Sequence, residues 1–254
     1  FLFIPLFLIT GPAIPDIIIS CSALYFLINY LILNKSFFIF REKVFLISIF
    51  FWFTLIFVSF FALNKQNSFQ DSLIFIRFLF IPLIAYYFFF NNEKKIKILV
   101  YIIFITVCFV LLDSLFQFYN YSSKDGFGYD LLGFKSNWYG RLTGPFGDEL
   151  VPGAYVSKFG LIGYVFFFFI KKNKTNYILQ ILYLSIISLV CFASGERMAL
   201  ATYFLALFFL LIFLKSKRFV FFSSISLSIF LIIIVIIFHP FYNDYKVINS
   251  THLH

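Results

Sequence analysis

The sequence predicts an all-α protein, a polytopic transmembrane helical bundle of about nine spans, and three observations carry that prediction. Hydrophobic residues fill 62% of the 254 positions and charged residues only 12%, with a mean hydropathy of +0.98; a soluble domain of this length does not show that balance. The apolar stretches recur near the roughly 20 residues that cross a bilayer as helix, and none alternates as an outer-membrane barrel strand does. Helices satisfy their own backbone groups in lipid, so they are the spanning elements. Lastly, Lys and Arg gather in every second loop.

In chain order the spans read 1–9, 17–33, 44–62, 72–90, 98–116, 151–170, 177–193, 198–214 and 219–238. Phe1 opens the chain without an initiator Met, so the first span is read as cut and the chain as a fragment, with a signal-peptide remnant as the alternative. Lys35, Arg41 and Lys43 separate the second span from the third. Lys94, Lys95 and Lys97 precede the fifth, Lys171, Lys172 and Lys174 follow the sixth, and Lys215, Lys217 and Arg218 follow the eighth. These four loops hold 12 of the 20 basic residues against only Glu42 and Glu93, which assigns them to the cytoplasmic side. The pI near 9.4 therefore reflects topology and gives no reason to expect a nucleic-acid partner. The whole chain, 1–254, reads as one membrane domain. Residues 117–150 form a periplasmic loop, and 239–254 begin a further one.

Several chemistries find no support. The 44 Phe residues belong against lipid or between helices. Cys21, Cys108 and Cys191 lie in separate apolar spans and read as small buried residues, with neither disulfide nor metal-like spacing. No phosphate loop of the P-loop or Rossmann kind is present, and no cofactor or metal is expected.

Polar chemistry concentrates on the side opposite the basic loops. Arg197 stands in Ser194-Gly195-Glu196-Arg197-Met198-Ala199, a short break between two apolar runs, and a guanidinium kept at a membrane boundary points to an anion. Arg141-Leu142-Thr143-Gly144-Pro145-Phe146-Gly147-Asp148-Glu149 is a second compact polar segment, with Gly and Pro shaping the backbone between Arg141 and the acids Asp148 and Glu149. Arg77 lies five residues inside an apolar run, where it must snorkel or face a polar cavity. Asp113, near the end of its span, is a candidate partner for Arg77 or Arg197. Trp138, Tyr139 and Tyr155 suit an interfacial belt and also suit stacking on sugar rings.

These two motifs, in a many-helix chain with basic inner loops, make the sequence resemble the bacterial O-antigen ligase and O-antigen polymerase family. The resemblance implies a metal-independent glycosyltransferase of the bacterial inner membrane. Such an enzyme takes a glycan from undecaprenyl diphosphate at the periplasmic face and passes it to an acceptor hydroxyl, of lipid A-core or of a growing glycan. Arg197 matches the family's hinge Arg. With it the resemblance makes Glu149 and Asp148 candidate catalytic groups, and Arg77, Arg141 and Glu196 candidate substrate contacts. It also implies a large His-containing loop between late helices; His239, His252 and His254 fall at its start, and none aligns with the family's base. Two readings from other classes stay open: a transporter with Arg77 and Asp113 along its pathway, and a non-catalytic component of polysaccharide assembly. Pro82 interrupts one span, yet most charges crowd the boundary, which favours an interfacial enzyme over a conduit.

Overall fold

A computed structural model describes residues 2–29, 43–89, 92–124, 126–170 and 174–244. Lys35, Arg41, Lys171, Lys172, His252 and His254 lie outside the described residues, as does most of the segment 239–254. The described residues are helical, with two isolated antiparallel bridges, Ser122 to Gly126 and Tyr129 to Lys135, as their only extended pairing. The helices are α1 (Ile4–Phe7), α2 (Ala13–Leu27), α3 (Lys43–Ser59), α4 (Lys65–Ile74), α5 (Ile76–Phe89), α6 (Glu93–Tyr119), α7 (Pro152–Gly163), α8 (Lys174–Ala193), α9 (Arg197–Phe213) and α10 (Arg218–Phe238).

Four continuous helical stretches are long and apolar enough to cross a membrane: Lys65–Tyr86, Glu93–Tyr119, Thr175–Ala193 and Lys215–Phe238. Ala13–Leu27, Phe45–Ser59 and Arg197–Phe213 are shorter apolar helices. Two differences from the expected spans have local causes. The span expected at 72–90 belongs to a stretch that begins at Lys65, because the Asn64 side chain accepts the Asn67 N–H and caps a polar first turn. The span expected at 151–170 is α-helical only to Gly163 and then tightens into a 3-10 segment, Tyr164–Phe168.

The chain divides after Ile98 into two compact units. In the first unit, Ala23, Phe26, Phe45, Leu83 and Ile84 form the buried cluster. The Trp52 indole donates to Ser72 O at 2.8 Å and ties α3 to α4. Arg77 is tied to α2: its Nη2 donates to Asp16 Oδ2 at 2.7 Å and its Nη1 reaches Ser20 Oγ at 3.5 Å.

In the second unit α8 packs against α7, α9 and α10. Serines make the α8–α10 contact close. Ser185 and Ser188 on α8 and Ser224 and Ser228 on α10 are fully buried, and Ser185 Oγ donates across the interface to Ser224 O at 3.2 Å. Small hydroxyl residues let two backbones approach while their O–H groups bond backbone carbonyls, as packing without a hydrophobic drive requires. At one end of α9 Lys217 donates to Gln180 Oε1 at 3.1 Å and lies over the Tyr177 ring. The polar hinge Ser194–Glu196 lies at the other end, about 25 Å away by helix rise alone.

Candidate active site at the α8–α9 hinge

The hinge is built from backbone needs first. α8 ends at Ala193, and Gly195 turns the chain in the left-handed region at φ +75°, where a side chain is strained. Glu196 then precedes the first turn of α9. Its carboxylate does not cap its own helix. It crosses to α7, where Oε1 accepts the Gly153 N–H at 2.8 Å and Oε2 accepts the Ala154 N–H at 3.0 Å. Pro152 opens α7 and has no N–H to satisfy, so Glu196 takes the first two donors that need an acceptor, at the positive end of that helix. Gly153 leaves no room for a Cβ beside Ser194 Oγ and Glu196 Oε1, which explains the glycine. Burial pushes the Glu196 carboxyl up, while the two N–H groups, Arg141 and Lys158 pull it back toward the carboxylate.

A cavity of about 840 Å³ opens beside this hinge. Arg141, Glu196 and Arg197 supply its charge, Tyr139, Phe241 and Tyr242 an aromatic wall, and Leu200, Ala201 and Phe204 an apolar wall along the first turns of α9. Arg197 and Arg141 are both exposed, and neither makes an ion pair among the described residues. Both Glu196 oxygens are occupied by backbone donors. Two positive side chains thus face one space at the start of α9, an arrangement that favours an anion.

The loop 120–151 is anchored from below by α6. Buried Gln117 accepts the Thr143 and Gly144 N–H groups at 3.1 and 2.9 Å and donates to Thr143 Oγ1 at 3.2 Å, which fixes the turn that follows Arg141. Asp113 Oδ1 accepts the Leu131 N–H at 2.9 Å. The chain after α10 closes the other side: Asp244 Oδ2 accepts from Ser123 Oγ at 2.6 Å and from Tyr121 OH at 3.1 Å. Those two bonds hold Phe241 and Tyr242 as cavity wall.

The structure gathers Arg141, Glu196 and Arg197 and leaves the other expected site residues elsewhere. Asp148 and Glu149 are exposed on the loop and do not line the cavity; Asp148 accepts from Asn137 Nδ2 at 2.7 Å. Arg77 has Asp16 for partner rather than Asp113. Of the three aromatic residues considered for belt or stacking, Tyr139 lines the cavity, Trp138 is exposed, and Tyr155 is buried against Phe146. Cys21 is exposed rather than buried, and Cys191 alone of the cysteines touches the cavity.

His239 is held as a structural group. Its ring stacks on Phe118 with centroids 4.0 Å apart, Nδ1 accepts the Phe241 N–H at 3.3 Å, and Nε2 lies 3.2 Å from Phe118 O. A nitrogen that accepts leaves the other to donate, so the neutral Nε2–H tautomer satisfies both contacts. Burial lowers its pKa, against the pull of the Phe118 carbonyl. Sequence reading missed Gln117, Phe241, Tyr242 and Asp244. An amide between Phe116 and Phe118, one residue past the expected span, was a usable signal for Gln117; nothing in the pattern distinguishes the other three. Among the described residues no three His, Cys, Asp or Glu side chains gather as a metal site would require. Comparison with protein-family models, curated proteins and solved structures returns no match to the chain.

Proposed function

We propose that the protein is a polytopic membrane glycosyltransferase of the O-antigen ligase or polymerase type, working at the membrane face opposite its basic loops. The observation that carries this reading is the pairing of Arg141 and Arg197 over one cavity, with Glu196 already committed to α7. A lipid-linked diphosphate has a double anion, an apolar tail and a sugar. The cavity has cationic, apolar and aromatic walls that match the three in turn.

In this reading Arg197 and Arg141 hold the diphosphate by charge-assisted bonds. As the sugar–phosphate bond breaks, negative charge grows on the departing phosphate, and the same guanidinium groups stabilise it more than they stabilise the ground state. Glu196 aligns Arg197 by fixing the hinge to α7. The nine-span topology, the bacterial inner membrane and the acceptor, lipid A-core or a glycan, belong to the same proposal. Asp148 and Glu149 remain proposed bases for the acceptor hydroxyl only through movement of their exposed loop toward the cavity.

The test is reconstitution in lipid with an undecaprenyl-diphosphate glycan and a hydroxyl acceptor, comparing the protein with its Arg197→Ala and Arg141→Ala variants. Transfer by the unaltered protein and its loss in both variants at equal folded yield is the expected result. Solute flux through vesicles lacking any donor lipid, with no transfer, overturns it in favour of a transporter.

A further inference from the structure

A second cleft, of about 510 Å³, lies within the first unit between α3 and α4. Its size suits a small ligand, since such sites run from about 300 to 1,000 Å³. The two helices that flank it are tied together: the Trp52 indole donates to Ser72 O at 2.8 Å, and Ser72 Oγ donates to Ser68 O at 2.7 Å with Leu55 O 3.4 Å away. Phe51 and Leu55, one turn apart on α3, form one side of the cleft. Phe75 closes on Phe51 edge to face, with ring centroids 6.1 Å apart.

The other side comes from one face of α4. Asn64, Asn67, Asp71 and Phe75 follow one another at steps of three and four residues, which stacks them on a single helical face, and with Ser68 they line the cleft. Hydrogen-bonding groups therefore stand over an apolar wall. Asn64 Oδ1 accepts the Asn67 N–H at 3.4 Å, which leaves the Asn64 amide N–H groups to spare. The Asn67, Ser68 and Asp71 side chains make no hydrogen bond or ion pair among the described residues. Among the described residues that line the cleft, none is Lys or Arg.

Ligand classes differ in what they leave unmatched here. An anion meets the Asp71 carboxylate with no cation in the lining to offset it. A divalent ion needs more oxygen ligands of charge than one carboxylate supplies, and no metal-like cluster occurs among the described residues. An ammonium ion pairs with Asp71 but sets its charge against the amide N–H donors of Asn64 and Asn67. A neutral sugar uses every group, because each hydroxyl both donates and accepts: it donates to Asp71, accepts from the two amides, and lays its C–H face on Phe51 and Phe75.

We propose that this cleft binds a neutral hexopyranose unit of a glycan, with Asp71, Asn67 and Asn64 reading its hydroxyl groups. The site is built from residues 51–75 alone and does not depend on the glycosyltransferase reading.

Saturation-transfer NMR on the full chain in lipid nanodiscs, with methyl glucoside, methyl galactoside and methyl mannoside as probes, tests the assignment. The expected result is saturable, millimolar binding of at least one of them, weakened about tenfold in Asp71→Ala and in Asn67→Ala. Binding should be unchanged in Tyr139→Ala, whose ring lines the cavity at the α8–α9 hinge. Asp71 and Asn67 are exposed, so their variants should fold. Three results overturn the proposal: no saturable binding of any methyl hexoside by the unaltered protein; binding that persists at parental strength in folded Asp71→Ala or Asn67→Ala; or ethanolamine displacing every hexoside, which assigns the cleft to a cationic headgroup. The measurement on the unaltered protein decides even where a variant fails to fold.

Discussion

Arg77 and Arg197 are both guanidinium groups on apolar helices, yet their surroundings differ in one respect that matters. Arg77 meets the Asp16 carboxylate at 2.7 Å, with Ser20 beside it. Arg197 faces a cavity whose one lining carboxylate among the described residues, Glu196, already accepts two backbone N–H groups. In the first unit the positive charge is neutralised where it stands, which suits helix packing. In the second it is left over, beside a second arginine and a helix start, and surplus charge at a cavity suits a ligand. The difference lies in what the neighbouring acid is doing, which residue type alone does not disclose.

The comparison breaks most sharply on turnover. Arg197→Ala should cut glycan transfer roughly 10²–10³-fold, the usual cost of removing one preorganised donor to developing charge, with little change in the thermal midpoint because the side chain is exposed. Arg77→Ala should leave transfer per folded molecule within a few-fold. A loss as large as that of Arg197→Ala would make Arg77 a donor contact after all and erase the contrast. Rates for both variants in one reconstituted assay, normalised to folded protein, decide between them.

Glu196 tests the same contrast through stability. Glu196→Ala strands the Gly153 and Ala154 N–H groups, at a cost of about 1–2 kcal/mol; Glu196→Gln keeps acceptor capacity for one of them and should fall between. Both variants should also weaken transfer, since the hinge that carries Arg197 loosens. Unfolding in detergent reports the first effect, and transfer at a temperature where the variants stay folded reports the second. A Glu196→Ala protein as stable as the parent would mean that α7 does not depend on this cap. By contrast, Arg77→Ala removes the cation that meets Asp16 at 2.7 Å and should loosen α2 from α5 while leaving the α7 cap intact.

Helical class and the polar break between α8 and α9 were legible in the sequence, since apolar length and a polar interruption survive without tertiary information. The extent of the helices was less so. An Asn cap lengthened one stretch back to Lys65, and a run of aromatics after Gly163 tightened into 3-10 geometry. Arg141 and Arg197 were legible as charges out of place. That Glu196 serves α7 was not, because its partners are Gly153 and Ala154, more than forty positions away, and backbone donors leave no mark in residue type. Nor was the role of residues 241–244, which depends on where the chain returns after α10. Asp148 and Glu149 attracted attention by proximity to Arg141 in sequence, whereas the 3-10 turn Gly144–Phe146 takes the chain away from the cavity before they are reached.

His239 offers the smallest and most specific test, because it separates a titrating ring from a packed one. Its pKa lies below the ordinary 6.5 in the folded protein through burial, so the unfolded chain binds more protons over that window. Stability from the neutral ring is therefore complete above about pH 6.5 and declines as pH falls through the folded value. Protonation at Nδ1 would set an N–H against the Phe241 N–H that it now accepts, and the cavity wall formed by Phe241 and Tyr242 should loosen with it. The expected measurement is a thermal midpoint that drops between pH 7 and pH 5 in the parent and drops less in His239→Phe, which keeps the stacking on Phe118 without a titrating nitrogen. Equal slopes in the two proteins would assign the acid sensitivity to other groups and leave His239 as packing alone.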